Sequence, residues 1–375
     1  MSLNSLETPC LILDKQKLLN NTATLTSKFK KMAIPFRPHL KTTKCEEIAK
    51  IALEGIDQRI MVSTLKEAEY FSNMGIKDII YGVGFVAEKL PRLAKLYDNG
   101  TTVRIVVDNP DAVGLLANFT DQLNHTISVL IEIDSDGTRA GIKPDSPHLL
   151  KIAQEISGTK NLTLSGVMTH AGSSYRASNI DEIIEIAEQE RLAVTTAADT
   201  LRQNSFDISI VTAGSTPTAM FGKNFDGLTE IRAGVYMFMD LFQANLGVCD
   251  FSDIAVSVLT TVISHQPERN RIIVDAGALA LSQDRGTQNQ TNDCGFGLVM
   301  DSTSNEIFEN MYICKVSQEH GQITTKNGNI DFEQFPIGKK LRILPNHACM
   351  TVAPYDCYHV IGDGEITIWD KISGW

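Results

Sequence analysis

Between residues 34 and 248, short β-rich runs are followed repeatedly by amphipathic stretches, and this alternation restricts the fold more than any other feature. IPFRPHLK precedes KCEEIAKIALEG, RIMVSTL precedes KEAEYFSNMG, DIIYGV precedes VAEKLPRLAKLYDNG, and TVRIVVD precedes AVGLLANF. SVLIEID, LTLSGVMTH, DISIVTAG and EIRAGVYMFM continue the series, with helical periodicity at 147–157 and 180–203. Strand-then-helix repeats imply a parallel sheet, and about eight of them in roughly 250 residues are what a (β/α)8 barrel of the TIM type requires. An open doubly wound sheet fits less well, because no Gly-x-Gly-x-x-Gly follows the first strand. Beyond residue 248 the chain turns to strands and tight turns without helices. This predicts an α/β barrel over 15–248 followed by a smaller C-terminal β domain over 249–375. Asn327-Gly328 and Asp363-Gly364 read as hairpin turns of that domain. The opening strand TPCLILD, within residues 1–14, could join either domain.

Two domains suit a chain of 375 residues, which is too long for one ordinary core. No apolar run approaches the ~18 residues of a spanning helix. Net charge is −11 with both signs interspersed, so there is no electrostatic footprint for nucleic acid or an anionic membrane. The start, MSLNSLETP, has neither the basic nor the apolar region of a secretory signal. The seven cysteines are odd in number and form no C-x-x-C, which points to reduced thiols and a cytoplasmic location.

Three stretches carry candidate chemistry. In IPFRPHLK, strand alternation sends Arg37, His39 and Lys41 to one face, with Lys41 at the strand end where barrel active sites are built. Thr43 and Glu46 read as a capping box for the next helix, with Lys44 solvated inside it. Lys41 is a candidate Schiff-base former if neighbouring cations and desolvation free its amine, against the plainer reading of a strand-end lysine in water. In TAGSTPT, Gly214 permits close backbone approach while Ser215 and Thr216 offer hydroxyls and amides to an anion. The following strand, EIRAGVYMF, brings Gly234, another place where backbone could come near a ligand, and the plainer reading of the loop is an ordinary turn. In LRILPNHACMTV, His347 and Cys349 stand two apart and would share one face of a strand. Together they could grip a metal ion, or they could be a bonded histidine beside a small buried thiol.

Taken together, RPHLKTTK, EIDSDGTRAG, GVMTHAGSSY, TAGSTPT, EIRAGVYMF, DAGALALSQDRG, QEHG and PNHACMTV resemble, in order and over nearly the whole chain, one enzyme family. It is the fold-type III pyridoxal-phosphate enzymes of the D-serine dehydratase and D-threonine aldolase group. The resemblance implies an alanine-racemase-like barrel, a C-terminal β domain and a homodimer. It makes Lys41 the residue bonded to pyridoxal 5'-phosphate, with Gly214, Ser215, Thr216 and Gly234 around the phosphate. Arg139 would approach the phenolic oxygen, and His170 and Tyr175 would lie near the ring or substrate. His347 and Cys349 would bind a divalent metal, and the thiol resembles the zinc-dependent dehydratases rather than the manganese or magnesium aldolases, which carry Asp there. Two positions depart from the pattern: Thr43 stands where His is expected, and APYD at 353–356 replaces an Asn-Leu-His-Asp-like segment. His320 reads as a catalytic neighbour or a turn histidine, and Tyr236, Asp275 and Asp284 as supporting groups.

The implied activity is lysis of D-3-hydroxy amino acids, foremost β-elimination of D-serine or a similar substrate to a 2-oxo acid and ammonia. Hydroxide is a poor leaving group, and an ion that lowers the pKa of water from 15.7 to about 7 eases its departure by at most roughly 12 kcal/mol. Racemisation has no such leaving group, so the metal pair weighs against a plain racemase. Retro-aldol cleavage to glycine and an aldehyde uses the same metal and is the second reading. A non-catalytic pyridoxal-phosphate carrier would consist of the barrel alone, so residues 250–375 speak against it.

Overall fold

The computed structural model describes residues 3–120, 123–362 and 364–375. They form two compact units, one of Thr24–Gly234 with Gly374–Trp375 and one of Met1–Ala23 with Val235–Ser373. The opening strand β1 (Cys10–Asp14) belongs to the second.

The first unit is the expected parallel barrel. Its strands are β2 (Phe36–Pro38), β3 (Arg59–Val62), β4 (Asp78–Gly84), β5 (Thr102–Val107), β6 (Ile127–Ile133), β7 (Leu162–Thr169), β8 (Ile210–Ala213) and β9 (Glu230–Ala233). They pair in parallel in the order β2-β9-β8-β7-β6-β5-β4-β3. The ring is completed by one isolated bridge between His39 and Met61, where the Leu40 N–H donates to the Met61 carbonyl at 2.9 Å. Strands covered on both sides should be apolar along their length, and all seven residues of β6 (ISVLIEI) are buried. Met61, Ile80, Val106, Leu130 and Met168 point inward and pack together as one layer of the barrel core.

Below that layer, at the strand starts, lies a charged plug. Arg37 is 1% exposed. Its Nε and Nη2 donate to the two oxygens of Glu230 at 2.7 and 2.8 Å, and its Nη1 donates to Asp78 at 2.8 Å and to the Ile60 carbonyl at 3.0 Å. Burial opposes charge on Glu230, but Arg37 outweighs it and holds that carboxyl below the usual range. The inward face of β2 thus starts with a fully committed arginine, so Arg37 is not the free cation beside Lys41 that the sequence suggested.

The second unit is a mainly antiparallel sheet. Its strands, besides β1, are β10 (Val256–Gln266), β11 (Arg271–Val274), β12 (Leu298–Asp301), β13 (Ile307–Val316), β14 (Gly321–Thr325), β15 (Lys340–Leu344), β16 (Cys357–Ile361) and β17 (Thr367–Asp370). They run in the order β11-β14-β13-β12-β15-β10-β1-β16-β17, and a further β10–β11 pairing closes six of them into a small barrel. β1 pairs antiparallel with β10 and parallel with β16.

The hairpin signals fare differently. Gln318–Gly321 supplies the turn between β13 and β14, with the Ser317 N–H donating to the His320 carbonyl at 2.8 Å. Asn327-Gly328 makes a turn but no hairpin, because the next strand, β15, pairs with β10 and β12 instead of β14. β16 and β17 do pair antiparallel, although Asp363 of their expected turn lies outside the described residues.

Candidate active site and metal pair

Lys41 leaves the barrel wall immediately after the closing bridge and is exposed. Among the described residues, nothing hydrogen-bonds or ion-pairs its amine. Its backbone N–H reaches His39 Nδ1 at 3.4 Å, and His39 Nε2 faces Ser63 Oγ at 3.4 Å. Burial first, then the charges of Lys41 and Arg232, hold His39 well below the ordinary imidazole value. His170, at the end of β7, donates from Nδ1 to the Gly214 carbonyl at 3.1 Å, which leaves its Nε2 as an acceptor. Burial, with Arg139 adding like charge, brings its pKa down to about 3, so it is neutral near pH 7. The Tyr175 ring lies 6.0 Å from the His170 ring. Arg139 is exposed on the loop after β6 and is the main opposing charge for the buried Glu132.

The helix after Lys41 begins later than expected. Its first residue is Glu46, its N-cap Cys45 makes no side-chain capping bond, and the Thr43–Glu46 box is not formed. Lys44 takes a left-handed φ of 51° and turns inward to pair with Glu67, which is completely buried. It is therefore not solvated. The other Glu67 oxygen accepts the Ser63 N–H at 2.8 Å, so this ion pair supports the residue that faces His39.

The loop after β8 is tightly determined. Gly214 has φ +128°, and a Cβ there would stand 2.2 Å from the Arg232 carbonyl, so only glycine fits. Its N–H donates to Glu190 Oε1 at 3.1 Å, and the Ser215 N–H donates to Thr218 Oγ1 at 2.9 Å. Of the two amides expected to meet an anion, those of Ser215 and Thr216, the first is thus used within the protein, and Ser215 and Thr218 complete a reciprocal capping box for the helix Thr216–Phe221. Gly234 sits against His39, where an added Cβ would meet the His39 carbonyl at 3.2 Å. This mouth combines an unengaged amine, a neutral imidazole and the cations Arg139 and Arg232, beside a glycine loop whose Ser215 and Thr218 hydroxyls are buried and bonded to Ser174 and to each other. That donor set suits an anionic, phosphorylated aldehyde, and the residues fit pyridoxal phosphate.

In the other unit, His347 and Cys349 are not on a strand. β15 stops at Leu344, His347 is the N-cap of the helix Ala348–Val352 with extended backbone (φ −135°, ψ 106°), and Cys349 is its second residue. Their side chains still meet, through the bend of a helix start instead of the pleat of a strand. Asp284 holds His347 Nδ1 at 2.6 Å, which leaves Nε2 for an ion. Burial opposes an imidazolium, yet Asp284, Cys349 and Asp240 raise the His347 pKa to about 11. Surroundings that favour a proton this strongly also favour a metal cation in its place, and the N, S donor pair suits a borderline-soft ion.

Asp240 was not anticipated. It is 1% exposed and accepts the Ala348 N–H at 2.9 Å and, as N-cap of the helix Leu241–Asn245, the Gln243 N–H at 2.9 Å. It therefore fixes the residue between His347 and Cys349. An Asp before Leu241 and Phe242 is a readable cap signal, but its second bond, from 108 residues away in sequence, is not. Asn346 donates to the Asp284 carbonyl at 3.1 Å and so ties the histidine to its carboxylate partner twice. Among the described residues, no group of three or more His, Cys, Asp or Glu is arranged to hold an ion. His320 is exposed in its turn, Tyr236 is completely buried, and Asp275 accepts from Thr8, Thr260 and the Thr261 N–H.

A parallel barrel with a lysine at the end of its first strand, joined in one chain to a β domain with a His/Cys pair, defines a pyridoxal-phosphate enzyme of the alanine-racemase fold class. Comparison with known proteins agrees. Residues 13–241 match the alanine racemase N-terminal domain, and residues 255–361 match the serine dehydratase domain. The chain belongs to this fold-type III pyridoxal-phosphate family. It is 38% identical to D-threo-3-hydroxyaspartate dehydratase of Delftia sp. (strain HT23), over 100% of this chain and 99% of that one. The solved structure of that enzyme superimposes with a TM-score of 0.96 over 100% of both chains. Further solved structures of it carry a histidine-to-alanine change and a cysteine-to-alanine change two positions apart, the latter in a metal-free form. D-serine dehydratase of Dictyostelium discoideum is 32% identical, with 96% of this chain and 95% of that one covered. D-threonine aldolase of Arthrobacter sp is 27% identical, with coverages of 97% and 92%.

Proposed function

We propose that this chain is a pyridoxal-phosphate- and metal-dependent lyase of D-3-hydroxy amino acids whose main reaction is β-elimination to a 2-oxo acid and ammonia. The observation that carries the reading is the unengaged Lys41 amine at the mouth of the barrel, beside a neutral His170 and the glycine loop after β8. Bound pyridoxal phosphate supplies an electron sink for the Cα electrons, and a divalent ion, proposed to be zinc, assists departure of the β-hydroxyl. Lys41 Nζ would hold the cofactor, and its amine is the base placed to take the Cα proton. His170 Nε2 is available as a hydrogen-bond acceptor because its Nδ1–H is committed to Gly214. Arg139 contributes positive charge against the anionic cofactor, and Gly214, Ser215, Thr216 and Gly234 shape its phosphate end. His347 and Cys349 would hold the metal, which would ease departure of the β-hydroxyl. Dehydration is preferred over retro-aldol cleavage because the 38% identical relative is a dehydratase, one structure of which is a cysteine-to-alanine mutant in a metal-free form.

The test uses purified protein with D-serine, D-threo-3-hydroxyaspartate and D-threonine, assaying 2-oxo acids, ammonia, glycine and aldehydes. Glycine and aldehyde without any oxo acid would overturn dehydration in favour of the aldolase. Borohydride reduction and peptide mass spectrometry should find the cofactor on Lys41 and nothing in Lys41→Ala. Cys349→Ala should keep the cofactor and lose both metal and elimination. A homodimer and a cytoplasmic location are part of this reading. The dimer rests on the family resemblance, and the location on seven free cysteines. Light scattering at assay concentrations tests the dimer, and fractionation of the source cells tests the location.

A further inference from the structure

Glu190 is a buried carboxylate that the reaction above does not use. It lies midway along the helix Ile180–Gln203 and is 3% exposed. Its Oε1 accepts two backbone N–H groups, from Ala171 at 2.8 Å and from Gly214 at 3.1 Å. The Thr218 hydroxyl bonds it as well. Ala171 directly follows His170, and Gly214 directly precedes Ser215. One oxygen on a third element therefore ties together the roots of the two loops that form the mouth.

A second set of bonds spans the same loops. The Ser174 and Ser215 hydroxyls stand 2.8 Å apart, and the Ser215 and Thr218 hydroxyls 3.0 Å apart. Gly214 is held on both sides, its N–H by Glu190 and its carbonyl by His170. Burial raises the Glu190 pKa, and neither its neutral nor its charged form draws in a phosphate by charge, so attraction does not explain the residue. The two amides it orients do. We propose that Glu190 is a positioning residue for the phosphate of the cofactor, fixing the Gly214 peptide so that the Ser215–Thr216 turn keeps the shape that receives the phosphate. The inference rests on the pyridoxal-phosphate reading.

Pyridoxal, which lacks the phosphate, separates this role from general support of the fold. Dissociation constants for pyridoxal phosphate and pyridoxal are measured on the full chain stripped of cofactor, for the wild type and for Glu190→Gln, Glu190→Asp and Glu190→Ala. Glutamine keeps an oxygen where both amides need it, and its preference for the phosphorylated ligand should stay within about threefold of wild type. Aspartate is one methylene too short to reach both amides, and alanine offers no acceptor. Both should lose about tenfold or more in pyridoxal phosphate affinity while pyridoxal changes less than about twofold. A cavity of about 10 Å³ already adjoins Glu190, so truncation makes room for water to satisfy the amides and the alanine variant can fold. If it does not fold, the aspartate variant decides alone. Parallel losses for the two ligands, or unchanged pyridoxal phosphate affinity in the aspartate variant, overturn the inference. A wild type that binds neither ligand overturns the functional reading beneath it instead.

Discussion

Replacing Asp284 by asparagine removes a charge while keeping the shape around His347, and it should weaken metal binding selectively. The carboxylate stands 2.6 Å from His347 Nδ1, a short charge-assisted contact that fixes the ring orientation and presents Nε2 outward. Carboxylates that hold a metal-binding histidine this way typically account for ~10- to 100-fold in metal affinity, about 1.4 to 2.8 kcal/mol. Here the two side chains are 38% and 33% exposed, so solvent screens the contact and the lower part of that range applies, about 10- to 30-fold. Asparagine can still accept the Nδ1–H through its amide oxygen, which also argues against the upper part. The assay is competition for zinc between the metal-free protein and a chelator of known affinity, with His347→Ala as the reference for complete loss. Covalent pyridoxal phosphate on Lys41 is measured on the same samples and should not change. Zinc affinity within threefold of wild type would mean that Asp284 neither selects the ring nitrogen nor stabilises the charge at this pair, and the account of His347 as a prepared ligand would fail.

Other perturbations follow from the same contacts. Arg37→Met takes two bonds from Glu230 in the barrel base but leaves its 3.4 Å contact with Arg59, so it should cost about 3 kcal/mol in urea unfolding, the lower end for a broken buried pair, with Glu230→Gln added on top restoring part of it; an additive double mutant would deny the coupling. Burial and neighbouring charge hold the folded His170 pKa at about 3, below its unfolded value, so the neutral ring contributes stability above pH 6.5 that is lost progressively as pH falls toward 3. His170→Gln should flatten that slope in urea midpoints taken between pH 7 and 4. Glu230 and Asp78 also have folded values below their ordinary ones, so a further loss should begin below about pH 4.5 and diminish in Arg37→Met. Gly214→Ala places a methyl 2.2 Å from the Arg232 carbonyl and should lower the melting temperature and prevent cofactor retention together.

What could be read from the chain follows the range of the physics involved. The barrel was legible because each strand–helix unit writes its own period within about 25 residues, and a parallel sheet needs nothing more to be recognised. Local signals misled where a distant partner decided the outcome. Thr43 and Glu46 have the spacing of a capping box, but Lys44 turns inward to satisfy Glu67, a carboxylate buried on the next helix, and the helix start moves to Glu46. Asn327-Gly328 has the chemistry of a hairpin turn, yet β15 is claimed by β10 and β12, which offer it two ladders instead of one edge.

The His347/Cys349 pair shows the difference most sharply, because the residues were picked out for a reason the structure replaces. Alternation along a strand would bring positions two apart to one face, but within a helix the same spacing separates them by about 200°. The pair converges only because His347 keeps extended backbone as an N-cap while Cys349 is already helical. Asp240 decides where that change occurs: its buried carboxylate accepts the Ala348 N–H and so pins the first turn of the helix between the two side chains. Asp284, also far off in sequence, then sets the imidazole. Neither carboxylate is within reach of a reading confined to LRILPNHACMTV, which is why that segment could suggest a metal pair but not the turn that makes one possible.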